Sequence, residues 1–256
     1  MEISLAAEKV FHIGGFPITN SLLMTWIAII LLVVLGYFAG RKPQMIPKGI
    51  QNFFEMVVEM LLNLCDDIIG DKKVTRRYFP LVATFFLFIL VSNWMGLLPG
   101  VGTIGFHEVN SHGKEVFVPL LRGGNADLNT TLALAIVSVI SIQIFGIAAI
   151  GFVKYGKKFV NFSGPIEWFV GVLEIIGEVS RMISFSFRLF GNIFAGEVLL
   201  TVVAFLIPWI APLPFYGLEL FVGFVQALVF TMLTLVFIKT ATADHDGHEE
   251  TVSQTV

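Results

Sequence analysis

Residues 166–207 read IEWFVGVLEIIGEVSRMISFSFRLFGNIFAGEVLLTVVAFLI, a stretch of helix-compatible residues that contains no proline. As a single helix its residues would extend roughly 60 Å, at 1.5 Å each, while a bilayer's hydrocarbon core is about 30 Å thick. The segment is therefore either a hairpin of two upright spans or one helix lying steeply tilted, nearly in the membrane plane. Gly177, Gly191 and Gly196 are isolated, and no proline or Gly-Gly pair marks a turn in the middle. The expectation is one long tilted helix.

Its polar residues follow a pattern. At about 100° per residue with Glu174 as zero, Glu178 falls near 40°, Arg181 near −20°, Ser184 near −80°, Arg188 near −40° and Asn192 near 0°, so all share one stripe. Glu197 falls on the other side, near 140° on the same scale. A charge facing lipid costs about 2.5–3.5 kcal/mol on insertion scales. Buried pairs or a water-filled path avoid that cost. Glu174, Glu178 and Arg181 are spaced to pair locally. Arg188 has no acid within one turn, so its counter-charge is expected on another helix or another chain. The last apolar segment repeats the device, with Glu219 and Gln226 seven residues apart and hence on one helix face.

Around this segment the chain is of one kind. Of its 256 residues 56% are hydrophobic and 14% charged, and the mean hydropathy is +0.85. Such a composition indicates an integral membrane protein. Residues 21–40 form an uncharged span, closed by Arg41 and Lys42. Within 50–69, Phe53, Phe54, Val57, Leu61 and Leu64 recur at helical spacing between Glu55, Glu59, Asn63 and Asp66, which predicts an amphipathic helix on the membrane surface. Further spans are expected at about 80–98 and 129–153, joined by a polar, glycine-rich loop. The motif PWIAPLP ends the long segment, a last helix is expected over about 215–239, and residues 240–256 read as a mobile tail. The fold class is all-α and polytopic, a single membrane domain over residues 1–256. It comprises an N-terminal transmembrane helix, a surface helix, a transmembrane hairpin and two long steeply tilted helices.

Lysine and arginine placement sets the orientation. Residues 41–77 carry seven (Arg41, Lys42, Lys48, Lys72, Lys73, Arg76, Arg77), against Lys114 and Arg122 in the 99–128 loop. Lys154, Lys157, Lys158 and Lys239 follow later spans. The N-terminus is expected outside and the C-terminus in the cytoplasm. Residues 1–16 do not read as a cleaved leader, lacking a basic start followed by an apolar run and a small-residue site.

Several functions are disfavoured. Cys65 is the one cysteine, so neither an intrachain disulfide nor a cysteine-based metal site is expected. His107, His112, His245 and His248 read as solvated loop and tail residues, and no metal or cofactor is expected. The chain has no phosphate-binding glycine loop, so it is not expected to hydrolyse ATP itself. No basic, aromatic-interleaved patch points to nucleic acid. A self-contained secondary ion transporter is the alternative reading, but the inverted repeats usual there are not evident.

The motif SFRLFGNIFAGE (Ser186–Glu197), with FVQALVFTMLTLVFI (Phe224–Ile238), FPITNSLLMTWI (Phe16–Ile27) and SNWMGLLP (Ser92–Pro99), resembles subunit a of the F-type ATP synthase membrane sector. The resemblance covers nearly the whole chain. It implies a non-catalytic stator subunit of a rotary enzyme in the bacterial plasma membrane, partnered by a ring of c subunits and peripheral-stalk b subunits. Two offset half-channels would load and unload protons on a ring carboxylate. By the motif, Arg188 faces that carboxylate and separates the half-channels. Asn192, Glu197, Gln226 and Glu219 match polar positions of the proton path. Glu197 and Glu219 are expected to lack a fixed positive neighbour. Ser184, Glu178 and Glu174 are candidates for lining the outlet.

Overall fold

The computed structural model describes residues 7–13, 15–41, 49–109, 115–159, 164–208 and 210–242. The elements are β1 (Lys9–Ile13), β2 (Phe16–Thr19), α1 (Asn20–Gly40), α2 (Ile50–Ile69), α3 (Lys72–Gly96), β3 (Gly105–Val109), β4 (Glu115–Pro119), a 3₁₀ turn (Gly124–Ala126), α4 (Leu128–Ile150), α5 (Phe152–Phe159), α6 (Pro165–Leu206) and α7 (Pro212–Thr242). Among the described residues five helices, α1, α3, α4, α6 and α7, are long and apolar enough to cross a membrane. The all-α, polytopic expectation therefore holds.

The segment that raised the question of hairpin or rod is one uninterrupted helix of 42 residues. Pro165 opens it at a position where a missing N–H costs nothing. Pro208 follows its end, and Ile207 is the cap residue. Apolar side chains are bare at both extremities: Ile166 is 75% exposed and Phe205 84%. Both ends need hydrocarbon around them. A rod of about 63 Å stays within about 30 Å of hydrocarbon only at about 60° from the membrane normal.

Helices α3, α4, α6 and α7 pack into one core in which Phe86 and Ile89, Ala135, Leu189, and Ala227 and Phe230 meet. Two buried hydroxyl pairs tie α4 to its neighbours: Ser138 to Thr234 of α7 at 2.9 Å, and Thr131 to Ser186 of α6 at 3.2 Å. In lipid such bonds hold helices together where apolar contact alone gives little preference. Helix α1 packs on α3 through Met24 and Ala28 against Met95, while Ile30, Val33 and Phe38 are each more than 60% exposed, as a lipid-facing side requires.

Several boundaries differ from the sequence reading. The span expected from Pro80 begins at Lys72, where Asp71 caps the helix by accepting from the Lys73 N–H at 2.7 Å. Pro80 is interior; its carbonyl instead accepts from the Thr84 hydroxyl at 2.7 Å. Helix α7 starts at Pro212 rather than Phe215 and continues to Thr242. Residues 240–242 are thus helical, and the rest of the expected tail, 243–256, lies outside the described residues, as do Lys42, Lys48, His112 and Lys114. The 99–128 loop contains the antiparallel β3–β4 hairpin, with Phe106 opposite Val118. A second hairpin, β1–β2, precedes α1. The basic turn after α4 forms the short helix α5.

Helix α2 is amphipathic, as its pattern predicted. Leu61 and Cys65 are fully buried while Glu55, Glu59, Asn63 and Asp67 are exposed. Lys239 of α7 donates from Nζ to the Ile68 carbonyl at 2.6 Å, a cation placed at the helix C-terminus. Burial, and after it the Asp66 carboxylate, pushes the Cys65 thiol up to about 11. Only the thiolate attacks electrophiles, so at pH 7.5 alkylation is expected to be about 100-fold slower than in the denatured chain. Mass spectrometry of maleimide-treated protein, folded and in denaturant, measures this. Rates within about threefold of each other would mean that α2 is not packed on α3 and α7.

Candidate functional site

Helix α6 organises the polar groups into two clusters with one arginine between them. Glu178 and Glu197 are 19 residues apart on a continuous helix, hence about 28 Å. Arg188 lies between, about 15 Å from the first and about 13 Å from the second along the axis.

The first cluster is at the α5 end. Arg181 Nη1 donates to Glu178 Oε1 at 2.7 Å, and its guanidinium lies 4.0 Å from the centre of the Phe237 ring of α7. The spacing that allowed local pairing thus does produce it, between Glu178 and Arg181. The second Glu178 oxygen is buried without a hydrogen-bond partner. Glu174, one turn earlier, is half-buried. From α5, Tyr155 is buried beside these carboxylates and donates its hydroxyl to Gln143 Oε1 at 2.6 Å. Burial, then Glu178 and Glu174, push its phenol up to about 12 against the opposing effect of Arg181. Gly146 of α4 is needed here, because a Cβ would run into the Tyr155 ring.

The second cluster is at the hairpin end, where the loop after β4 meets α6 and α7. Arg122 is buried and reaches Glu197 Oε2 with both Nε and Nη2 at 3.3 Å. Its guanidinium also lies 5.9 Å from the Phe194 ring centre. This corrects the expectation that Glu197 lacks a fixed positive neighbour. Glu219 of α7 is 6% exposed and lies directly on the backbone of Gly196; a Cβ there would overlap its carboxyl group. One turn on, the Gly223 carbonyl accepts from Asn93 Nδ2 at 2.9 Å, and Asn93 Oδ1 accepts from Asn125 Nδ2 at 2.7 Å. Asn125 Oδ1 and Ser92 Oγ are buried and have no partner. In an apolar interior such atoms need water. Gln226, half-buried further along α7, forms no hydrogen bond with a described residue.

Arg188 differs from both clusters. It is exposed, and no acid lies within ion-pair distance of it among the described residues. Its closest polar contact is Nη2 to Ser184 Oγ at 3.5 Å, one turn back. Asn192, one turn on, is exposed too, and a Cβ on Gly191 would meet nothing within 4 Å. Ser184, Arg188 and Asn192 therefore form an open polar strip on one face. An open groove of about 370 Å³ runs from Arg188 past Ser184 to Arg181, walled by Leu233 and Phe237 of α7.

The sequence stripe thus divides in space. Glu174, Glu178 and Arg181 gather at the α5 end, Glu197 and Glu219 at the hairpin end, and Ser184, Arg188 and Asn192 lie uncovered between. Sequence reading missed Arg122, Asn93, Asn125 and Tyr155 as site residues. For Asn93 a signal was present, since an asparagine closes an apolar span. For Arg122 the signal was a lone arginine ahead of two glycines and an aspartate.

Comparison with known proteins shows the family. Residues 22–239 match the family described as ATP synthase A chain. The chain is similar to ATP synthase subunit a of Campylobacter jejuni strain RM1221, 37% identical over 241 residues that cover 93% of this chain and 91% of the relative. The Helicobacter pylori strain P12 protein of that name is 34% identical over 248 residues, covering 94% and 99%. That of Moorella thermoacetica is 36% identical over 237 residues, covering 93% and 97%.

Proposed function

The chain belongs to the ATP synthase A chain family, and from that premise we propose how its residues move protons. It is a multi-pass membrane subunit of the proton-translocating Fo sector. In the proposed mechanism the two polar clusters are the inner parts of two half-channels. The hairpin-end cluster, with Glu197, Glu219, Gln226 and the asparagines, is the inlet from outside. The α5-end cluster, with Glu178 and Glu174, is the outlet to the cytoplasm, entered from the strip at Ser184. The excess of cationic residues between α1 and α3 supports that orientation. The c-subunit ring carries protons between the two on a carboxylate, and b subunits complete the stator.

The observation that carries this reading is the uncovered strip of Ser184, Arg188 and Asn192. A bare guanidinium beside apolar side chains is too costly to face lipid. It fits a neighbour that brings a carboxylate, and Gly191 leaves room for that neighbour's backbone. Because a guanidinium stays protonated, Arg188 holds the ring carboxylate ionised as it passes and offers no site through which a proton could hop. Asn192, one turn away on the same face, offers the passing carboxylate a hydrogen bond.

Asn192→Cys tests the placement. In the assembled complex this cysteine should form a disulfide with a cysteine placed beside the ring carboxylate, and the ring should shield it from a lipid-soluble maleimide. Equal labelling with and without the ring would show that the face is turned to lipid and would remove the basis of this reading.

A further inference from the structure

We propose that Arg122 is a positioning residue for proton transfer at the hairpin end, a fixed cation that holds the Glu197 carboxylate where the inlet needs it. The inference rests on the inlet role given to Glu197.

The loop that carries Arg122 is anchored on both sides. The Gly102 N–H donates to the Leu121 carbonyl at 3.0 Å. Gly123 abuts the end of α3 so closely that a Cβ on Gly96 would lie 3.3 Å from its Cα. Gly124 is pressed against α1, where an added Cβ would come within 2.7 Å of Thr25 Oγ1. Asn125 is tied to Asn93 of α3, and Asp127 accepts from Ser21 of α1 at 2.8 Å. None of these contacts involves α6, yet the side chain they fix ends on α6.

There the two partners are unequal. The Arg122 side chain is 6% exposed and that of Glu197 is 36%. The cation is the anchored member, held over Phe194, and the carboxylate is the one left partly uncovered. A pair serving only to clamp the loop onto α6 has no use for a carboxylate that is left more open than its cation. A carboxylate that must exchange protons needs the opposite, one side held and one side wet. Arginine suits this use because it cannot itself release a proton into the path. Glu219, which touches Gly196 beside Glu197, is the neighbouring acid on α7. Arg122 therefore fixes one acid of a neighbouring pair and leaves the other without an ion pair among the described residues.

The test uses the assembled ATP synthase in membrane vesicles, with ATP-driven proton pumping normalised to assembled complex. Arg122→Met is expected to lower pumping about fivefold, the scale for losing one partly exposed ion pair. Arg122→Lys, which keeps the charge, should recover most of it. In a Glu197→Gln background Arg122→Met should add no further loss, because the group it positions is gone. A structural clamp predicts otherwise: less assembled complex but unchanged pumping per complex, with the lysine variant no better than methionine. That result overturns the proposal. So does pumping by Arg122→Met within about twofold of wild type while Glu197→Gln is defective. If Glu197→Gln itself pumps normally, the inlet role fails and this inference fails with it, and the two failures are distinguished by that single variant. Should Arg122→Met not assemble, Arg122→Gln, which keeps a hydrogen-bond donor without charge, is read in the same way.

Discussion

Arg188→Ala is expected to abolish ATP-driven proton pumping and, at the same time, to raise the passive proton leak of the membrane. The two effects have one cause. In the proposed mechanism, with the arginine present, a proton on the ring carboxylate cannot stay there as the carboxylate passes, because the opposite charge favours the ionised form. With alanine it can stay, so a protonated carboxylate slips between the half-channels without doing work. Removing one member of a desolvated charge pair costs about 3–5 kcal/mol, which predicts a fall in pumping of about a hundredfold or more. Arg188→Lys should not restore it, since an ammonium lacks the planar fork and loses its proton readily when desolvated. The check is acid-quench fluorescence in inverted vesicles, with ATP for pumping and with an imposed gradient for leak. Near-normal pumping by Arg188→Ala would leave the exposed strip on α6 without a function. Lost pumping with no added leak would keep Arg188 essential but remove its role as the barrier.

The second large effect is expected at Gly196. A single methyl group there occupies the place of the Glu219 carboxyl group. Overpacking of this kind costs about 1–3 kcal/mol, and the easiest relief is to displace the Glu219 side chain. Gly196→Ala should therefore reduce pumping about thirtyfold, the middle of that range. The cause can be separated from general misfolding with a second change. Glu219→Asp shortens the acid by one methylene, so Gly196→Ala combined with Glu219→Asp should pump better than Gly196→Ala alone. Additive losses in the pair would show that the glycine serves another purpose.

How much of this was legible in the chain depends on the distance over which each feature is encoded. The long helix was readable because its evidence is local: 42 positions without an internal proline, with Pro165 and Pro208 at the two ends. The stripe of polar residues was readable for the same reason, being a matter of angle along one helix. The span expected from Pro80 starts earlier because proline is tolerated inside this helix and Asp71 provides the cap nine residues before it. The β3–β4 hairpin was hidden in a segment whose glycines and polar residues resemble those of an irregular loop. The Arg122–Glu197 pair joins residues 75 apart in sequence, and no local pattern specifies it. The sequence likewise placed Glu174, Arg188 and Glu197 on one helix. It did not reveal that the first and last are partly enclosed by other elements while the middle one is left bare.

The tilt of α6 has an electrical consequence. Its two polar clusters are about 28 Å apart along the axis, but at about 60° from the normal they differ in depth by only about 14 Å. In the proposed mechanism both clusters admit water and bring the bulk potential inward, so the membrane voltage would fall across about half the usual insulating thickness and the local field would about double. The remainder of the separation, about 24 Å, is sideways within the plane of the membrane. On that reading a proton that has reached one cluster cannot complete its descent by moving further down. It is carried laterally, and one slanted helix turns a voltage across the membrane into a displacement along it.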